Sequence, residues 1–494
     1  MKLWHLLVLT VIVVSAGVIW GVGGGGVAAQ RSEIIPGRYI VILEPGASPD
    51  AVAAGHHLAP DHVFRSALNG FSVAAGASEL QALTQDPRVN NVVPDRAMHA
   101  FPVSVGAAPI VQPLAVAAAL PNGIDRVDAE GAALASPPAI AIIDTGIDFT
   151  RPELNVAGGV SFIKGNSTGQ DDNGHGTHVS GTAAGRVMGT GFRGVAPGVP
   201  LYAVKVLNGS GSGSWSTVIS GVDWVTNNAA SKGIRVANMS LGGTGSNSAN
   251  CGVSGSTVVD PLHRAICNSV QAGVVYAVAA GNSASDASGF VPAAYPEVVA
   301  VSAVADSDGR GGHAGPATSY GADDTFATFS NFGSAVRLAA PGVDILSTVP
   351  TGNCQLCDPS GYGLLSGTSM ASPHVSGALA LYIALHAGVS TTGSAGTISP
   401  AALGLIAQAK PQSDFCGFTG DPGSEPFLYV GQPDTDCGAL TAPTPTPAPP
   451  TATPTATSTP GGPTDTPTAT PTQAPPTPTP TVCPPGKVKR GRCV

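Results

Sequence analysis

The sequence predicts an α/β protein, a three-layer domain around a central, mostly parallel sheet, preceded by a small ferredoxin-like α+β domain. Two observations carry this expectation. Between residues 123 and 431, apolar segments such as "AIAIID" (139–144) and "VVYAVAAGN" (274–282) alternate with helical segments. Strands that are apolar without polar alternation belong to parallel sheets covered on both faces. Ahead of them, residues 38–95 read strand, helix, strand, strand, helix, strand, the split βαβ order.

Taken in order, the chain opens on Lys2 and an apolar run from Leu3 to Trp20, with "VAA" at 27–29 before Gln30. A basic flank, an apolar core and small residues at a cut site describe an export signal, so residues 1–29 are expected to be removed. The run approaches spanning length, which leaves an uncleaved anchor as the alternative. In the small domain, strands are expected at "RYIVIL" (38–43), "HVFRSAL" (62–68), "GFSVAAG" (70–76) and "RVNNVVPD" (88–95). Its helices are "SPDAVAAGHH" (48–57) and "SELQALTQD" (78–86), the second opened by a capping box of Ser78 and Gln81. Residues 96–122 are low in charge and read as a linker.

The larger domain continues with a helix opening at "HGTHVSGTAAG" (175–185), the strand "PLYAVKVL" (200–207) and the helix "WSTVISGVDWVTNNAASKG" (215–233). "VANMSLG" (236–242), the helix "PLHRAICNSVQAG" (261–273) and "VVAVSAV" (298–304) come next. The helix within "SGTSMASPHVSGALALYIALHAG" (366–388) is apolar all round and should be buried, with Pro373 tolerated near its start. Residues 441–482 are Thr/Pro-rich, hence an extended polyproline-II linker open to O-glycosylation. The last residues, "CPPGKVKRGRCV" (483–494), set Lys487, Lys489, Arg490 and Arg492 between two cysteines, either a loop for an anionic surface or a solubilising tail.

Composition narrows the function. For a chain of 494 residues, a net charge of −9 and a pI near 5.6 argue against nucleic acid as the main partner. Eight cysteines in an exported chain suggest disulfides. Local spacing pairs Cys251–Cys267, Cys354–Cys357, Cys416–Cys437 and Cys483–Cys493, although sequence does not fix connectivity. Cys354-Gln-Leu-Cys357 has redox spacing, yet outside the cell a small structural loop closure is the expectation.

Three segments end strands or begin helices with reactive side chains. "AIAIIDTGID" sets Asp144 after a buried strand, "DDNGHGTHVSGT" sets His175 and His178 at a helix start, and "SGTSMASPH" sets Ser369 at another. An acid, an imidazole and a hydroxyl are the parts of nucleophilic acyl transfer. "HGTH" lacks the glutamate of a zinc-protease helix. One "DTG" without a second cannot build a two-aspartate protease. Spacing alone does not choose between His175 and His178.

In their order and surrounding words, these segments resemble the subtilisin-like serine proteases over essentially all of 123–431. Residues 38–95 resemble the inhibitor-like prodomain that precedes this protease domain, and the branch most resembled is the secreted proteinase-K-like bacterial enzymes. The resemblance implies residues 30–105 as prodomain, 106–440 as catalytic domain, 441–482 as linker and 483–494 as tail. It implies Asp144 orienting the imidazole, His175 as general base then acid, and Ser369 as nucleophile. Asn282, with the Ser369 backbone N–H, becomes the oxyanion donor. Gly211, Ser212 and Gly213 would bind upstream substrate residues, and Trp215 would cover a more distant pocket. Ser240, Leu241, Gly242 and Gly243, with Ala279, Ala280 and Gly281, would line the pocket for the residue before the cut.

The resemblance thus implies a secreted endopeptidase of broad preference for apolar or aromatic residues. Such an enzyme would be a monomer with polypeptide substrates, its own prodomain as intramolecular inhibitor and no membrane contact after signal removal. A narrow processing protease and a non-catalytic surface-binding protein on the same fold are the alternatives. No cofactor is implied for catalysis. Structural calcium is common in the family, but the loop 185–198 is short for one site and Arg337 stands where a ligating Asp is often found. Asp171 and Asp172, or Asp323 and Asp324 in the inserted loop 306–327, could hold it or be solvated acidic loops. Self-cleavage is expected within 96–122.

Overall fold

The computed structural model describes residues 33–106, 120–129, 137–187, 191–248, 251 and 259–431, together with strand residues 488–489 and 492–493. The expected export signal and the Thr/Pro-rich linker lie outside the described residues. In the C-terminal unit, Leu440–Val494, β19 (Val488–Lys489) and β20 (Arg492–Cys493) pair as an antiparallel hairpin.

The central sheet is eight-stranded. Its parallel core runs β14 (Val299–Ala305), β12 (Val275–Ala279), β10 (Ile234–Met239), β6 (Ala139–Asp144), β8 (Leu201–Lys205) and β7 (Val156–Ser161). Beside β14 lie the parallel β16 (Val336–Pro341) and the antiparallel β15 (Thr325–Phe326). β6 explains why the sheet is covered twice. Ile140 and Ile142 enter one apolar cluster, while Ala139, Ala141 and Ile143 enter the other, so successive side chains of one strand meet different layers. The first layer holds α4 (His175–Ala184) and α7 (Thr368–Leu385); the second holds α5 (Trp215–Lys232) and α6 (Pro261–Gln271).

α7 is buried without a break from Thr368 to Leu381, as its all-round apolarity predicts. Pro373 is not in its first turn, however, but a turn further in. A proline there leaves the carbonyl four residues back without its helical donor. That carbonyl belongs to Ser369, and the Ser240 hydroxyl supplies the bond at 2.9 Å.

The small domain has the expected order: β1 (Ile34–Leu43), α1 (Pro49–Gly55), β2 (His62–Phe64), β3 (Gly70–Ala74), α2 (Ala77–Gln85) and β4 (Val89–Ala100). Three readings are corrected. α2 starts at Ala77 behind Gly76, whose N–H donates to the Glu79 carboxylate, so Ser78 and Gln81 form no cap. β2 stops at Phe64 because the N–H groups of Arg65, Ser66 and Ala67 donate to Asp223 on α5 at 2.7–3.1 Å. Most consequentially, residues 96–105 are no linker. β4 runs on to Ala100, and β5 (Ser104–Val105) pairs with β18 (Tyr362–Ser366), which also pairs with β17 (Ile345–Thr348). The far end of β4 lies between β9 (Ser212–Ser214) and β11 (Leu241–Thr244), and β11 continues to β13 (Phe290–Val291).

Disulfides join Cys251 to Cys267 and Cys354 to Cys357. Cys416 is disulfide-bonded, and Cys437, its expected partner, lies outside the described residues, as does Cys483. α8 (Pro400–Gln408), capped by the Ser399 hydroxyl, packs beside α7.

Candidate active site

The four residues expected to carry chemistry gather at one edge of the central sheet. Asp144 is the last residue of β6, His175 the first of α4, and Ser369 the second of α7; Asn282 follows β12. This is the carboxyl edge, where parallel strands of α/β sheets build their sites. His175 Nδ1 stands 2.8 Å from Asp144 Oδ1, which also accepts from the Thr145 N–H. A carboxylate in that position fixes the tautomer that leaves Nε2 free to take a proton.

The start of α4 is built around Asp171. Its carboxylate accepts from the N–H groups of Asn173, Gly174 and Thr177 and from the hydroxyls of Thr145 and Thr177. Gly176 lets the helix close on the β6 end, since a methyl group there would collide with the Gly146 carbonyl.

Burial is the largest influence on His175 and opposes its cation. The charge and hydrogen bond of Asp144, with the Asp171 charge behind, outweigh it, so the pKa is raised above the ordinary histidine value. His178 differs. Buried, with Nε2 donating to the carbonyls of Ile345 and Gly363, it is pushed down to about 3 and stays neutral. That separates the two histidines that spacing could not.

Ser369 is fully buried and its hydroxyl donates to the Ser240 carbonyl at 3.3 Å. His175 Nε2 makes no hydrogen bond among the described residues. The cleft is covered, and the cover is the chain itself. Ala97, Met98 and His99 lie opposite Ser214, Gly213 and Ser212 on one side, while His99 and Ala100 lie opposite Gly242 and Leu241 on the other. The Ala100 N–H donates to the Gly211 carbonyl at 2.9 Å. Met98 is buried in one cluster with Trp215 and Leu241, and Arg96 stacks over the Trp215 ring. The Phe101 ring packs with Ala279 and Phe290. A methyl group on Gly242 would collide with that ring, so the glycine makes the pocket deep enough for an aromatic.

The Ala280 side chain packs with Ala287 and Val336, and Gly243 lies opposite Val291 in the neighbouring strand. Asn282 Nδ2 donates to the Pro102 carbonyl at 2.8 Å. Its Oδ1 accepts from the N–H and hydroxyl of Thr368, which aims the amide. Thr368 and Phe290 escaped the sequence reading. Thr368 had a signal in standing next to Ser369; Phe290 had none, because its role exists only once β11 and β13 meet.

A model of the subtilase family, peptidase S8, matches residues 136–411, and a peptidase inhibitor I9 model matches residues 38–101. The chain belongs to the subtilase family. It is 41% identical over 285 residues to subtilisin DY of Bacillus licheniformis, covering 57% of this chain and 89% of that one. To subtilisin E of Bacillus subtilis strain 168 it is 38% identical over 329 residues, covering 65% and 71%. The crystal structure of a cold adapted subtilisin-like serine proteinase aligns at 34% identity over 64% of this chain and 99% of that one, with a TM-score of 0.47. This subtilase is a serine endopeptidase with an inhibitor-type propeptide, and its class needs no cofactor for catalysis.

Structural calcium is typical of subtilases, but the acidic residues singled out for it are otherwise engaged. Asp171 is taken up by the donors named above, and Asp172 pairs with Lys205 Nζ at 2.6 Å. In the inserted loop, Asp306, Asp308 and Asp323 could converge on one ion, but the buried Arg126 guanidinium is already there. Its Nε lies 2.7 Å from Asp324 and 3.0 Å from Asp306. Asp323 accepts from Ser307 and Gly315. Arg337, by contrast, leaves its Nε without a hydrogen bond among the described residues. At this loop a buried cation, Arg126, thus already faces Asp306 and Asp324.

Proposed function

We propose that this subtilase is an exported endopeptidase that cuts after apolar and aromatic residues and is made as a self-processed zymogen. The observation that carries the specificity is the Phe101 ring seated on Gly242 beside Ala279. The residues that cluster with that ring, Ala279 and Phe290, are apolar. Export rests on the Lys2 flank, the apolar run and the small residues before Gln30.

The chemistry is set by the site. With the cleft vacated, Ser369 Oγ turns from the Ser240 carbonyl toward His175 Nε2, which has no competing partner among the described residues. Catalytic hydrogen bonds tighten when substrate arrives. The hydroxyl proton passes to His175 as oxygen attacks the carbonyl, and Asp144 stabilises the imidazolium. Asn282 Nδ2 and the Ser369 N–H at the α7 start hold the oxyanion. His175 then protonates the leaving amine, and water releases the acyl group from Ser369.

Digestion of denatured protein by the active enzyme, read by mass spectrometry of the fragments, tests the proposal. Cuts should fall after Phe, Tyr, Leu and Met, and Gly242→Ala should lower kcat/KM for Phe substrates about tenfold or more by filling the pocket. Cuts confined to one sequence would favour a narrow processing protease instead. Ser369→Ala should accumulate as uncut precursor; efficient processing of that purified variant would rule out self-cleavage.

A further inference from the structure

The strand in the cleft is out of step with the chemistry around it. In a peptide about to be cut, the residue filling the specificity pocket also presents its carbonyl to the oxyanion donor, because the bond attacked comes directly after that residue. Here the two belong to neighbours. Phe101 fills the pocket, but Asn282 Nδ2 donates to the carbonyl of Pro102. The chain is gripped on both sides of this point. Upstream, Ala97–Ala100 are paired with β9 and β11; downstream, Ser104 and Val105 lie opposite Ser366 and Leu365, and the Gly106 N–H donates to the Leu364 carbonyl at 2.9 Å. A strand held this way cannot slip by one residue without turning every side chain to the other face.

Proline is the residue suited to maintain the offset. Its ring fixes φ near about −65°, removes the N–H and restricts the preceding residue to extended backbone. We propose that Pro102 is a positioning residue that holds residues 97–106 out of catalytic register, so that the strand is an uncut plug and Phe101–Pro102 is not the bond at which the precursor opens. The inference rests on the serine-protease reading above and adds the regulation of that same site.

With alanine at 102, the Phe101 carbonyl is free to turn toward Asn282. Ser369 Oγ then adds to it, its proton passing to His175 Nε2 and on to the nitrogen of residue 102, which leaves as a new amino terminus. Water releases the acyl group, giving a carboxylate on Phe101 and restoring the Ser369 hydroxyl.

The test monitors the full-length precursor and its Pro102→Ala variant by intact mass and appearance of activity. The wild type should give no chain beginning at residue 102. The variant should give that chain and release activity at least tenfold faster. A wild-type chain beginning at Pro102, or a variant with the same termini and time course as the wild type, overturns the proposal. If the variant precursor does not fold, synthetic peptides spanning 96–106 with Pro or Ala at 102 are offered to the processed wild-type enzyme. The proline peptide should inhibit and stay whole while the alanine peptide is cut after Phe101; cutting of the first there, or of neither, overturns it. Hydrolysis of denatured casein by the same preparation is the control. Its absence would overturn the serine-protease reading itself, which separates the two failures.

Discussion

Ser369 sits where a buried helix begins, and Asn282 is aimed by Thr368 one residue earlier, so the proposed nucleophile and the proposed oxyanion donor share one rigid support. Asn282→Ala should therefore lower kcat by about a hundred- to a thousandfold with little change in KM, the scale known for this donor in subtilisin. Asp144→Asn should cost about 10⁴-fold through the wrong imidazole tautomer, the scale established for triads of this kind. The raised pKa of His175 sets the pH dependence. The base works only when neutral, so kcat/KM should climb with pH through a limb above the ordinary value of 6.5 and fall away below it. A profile flat down to pH 5 would contradict this. These residues were legible because each stands in a short local word. Spacing left His175 and His178 open and only the family resemblance chose between them; the physical difference is that Asp144 lies 2.8 Å from one ring and the Ile345 carbonyl 3.0 Å from the other.

Among the elements, α3 (Asn122–Arg126) and the loop 306–327 are joined by one buried arginine. Arg126 also donates to the carbonyls of Cys416 and Gly417 and stacks on Phe427. Removing it leaves the buried Asp324 carboxylate without its cation, so Arg126→Met in a Ser369→Ala background should cost about 3–5 kcal/mol in denaturant unfolding. Burial, against the pull of Arg126, raises Asp306 to about 8. Its folded pKa thus exceeds its unfolded value near about 4, so the folded state binds the extra proton and this contribution to stability fades as pH rises from about 4 to 8. Asp306→Asn should flatten that slope; an unchanged slope would assign it elsewhere. None of this was readable from sequence, because Arg126 and Asp324 are far apart along the chain. The helices of the large domain were readable, since their apolar spacing and flanking glycines are local. Residues 96–105 were misread for the opposite reason: their strand exists only because β9, β11 and β18 offer open edges.

At the scale of the molecule, the propeptide is seated on α5. Asp223 accepts three backbone N–H groups from the small domain, Asp95 accepts from the N–H and hydroxyl of Ser216, and Asn268 donates to the Ala67 carbonyl. Asp223→Ala leaves those N–H groups to water. The cleaved propeptide should then dissociate about tenfold or more faster, read as earlier loss of the propeptide from the enzyme on gel filtration; charge-assisted bonds at a half-exposed site support no larger figure. The ferredoxin-like order and the subtilase words were visible in the sequence, but their meeting in one continuous sheet through β4 was not, since long-range pairing leaves no local signature.

The central claim is that Asp144, His175 and Ser369 act as one nucleophilic unit once the strand has left the cleft. The most direct measurement is intact and peptide mass spectrometry of the processed enzyme after exposure to a fluorophosphonate. A single adduct on Ser369, abolished in His175→Ala, is the predicted result; a processed enzyme that stays unlabelled, or is labelled at another residue, would contradict the account.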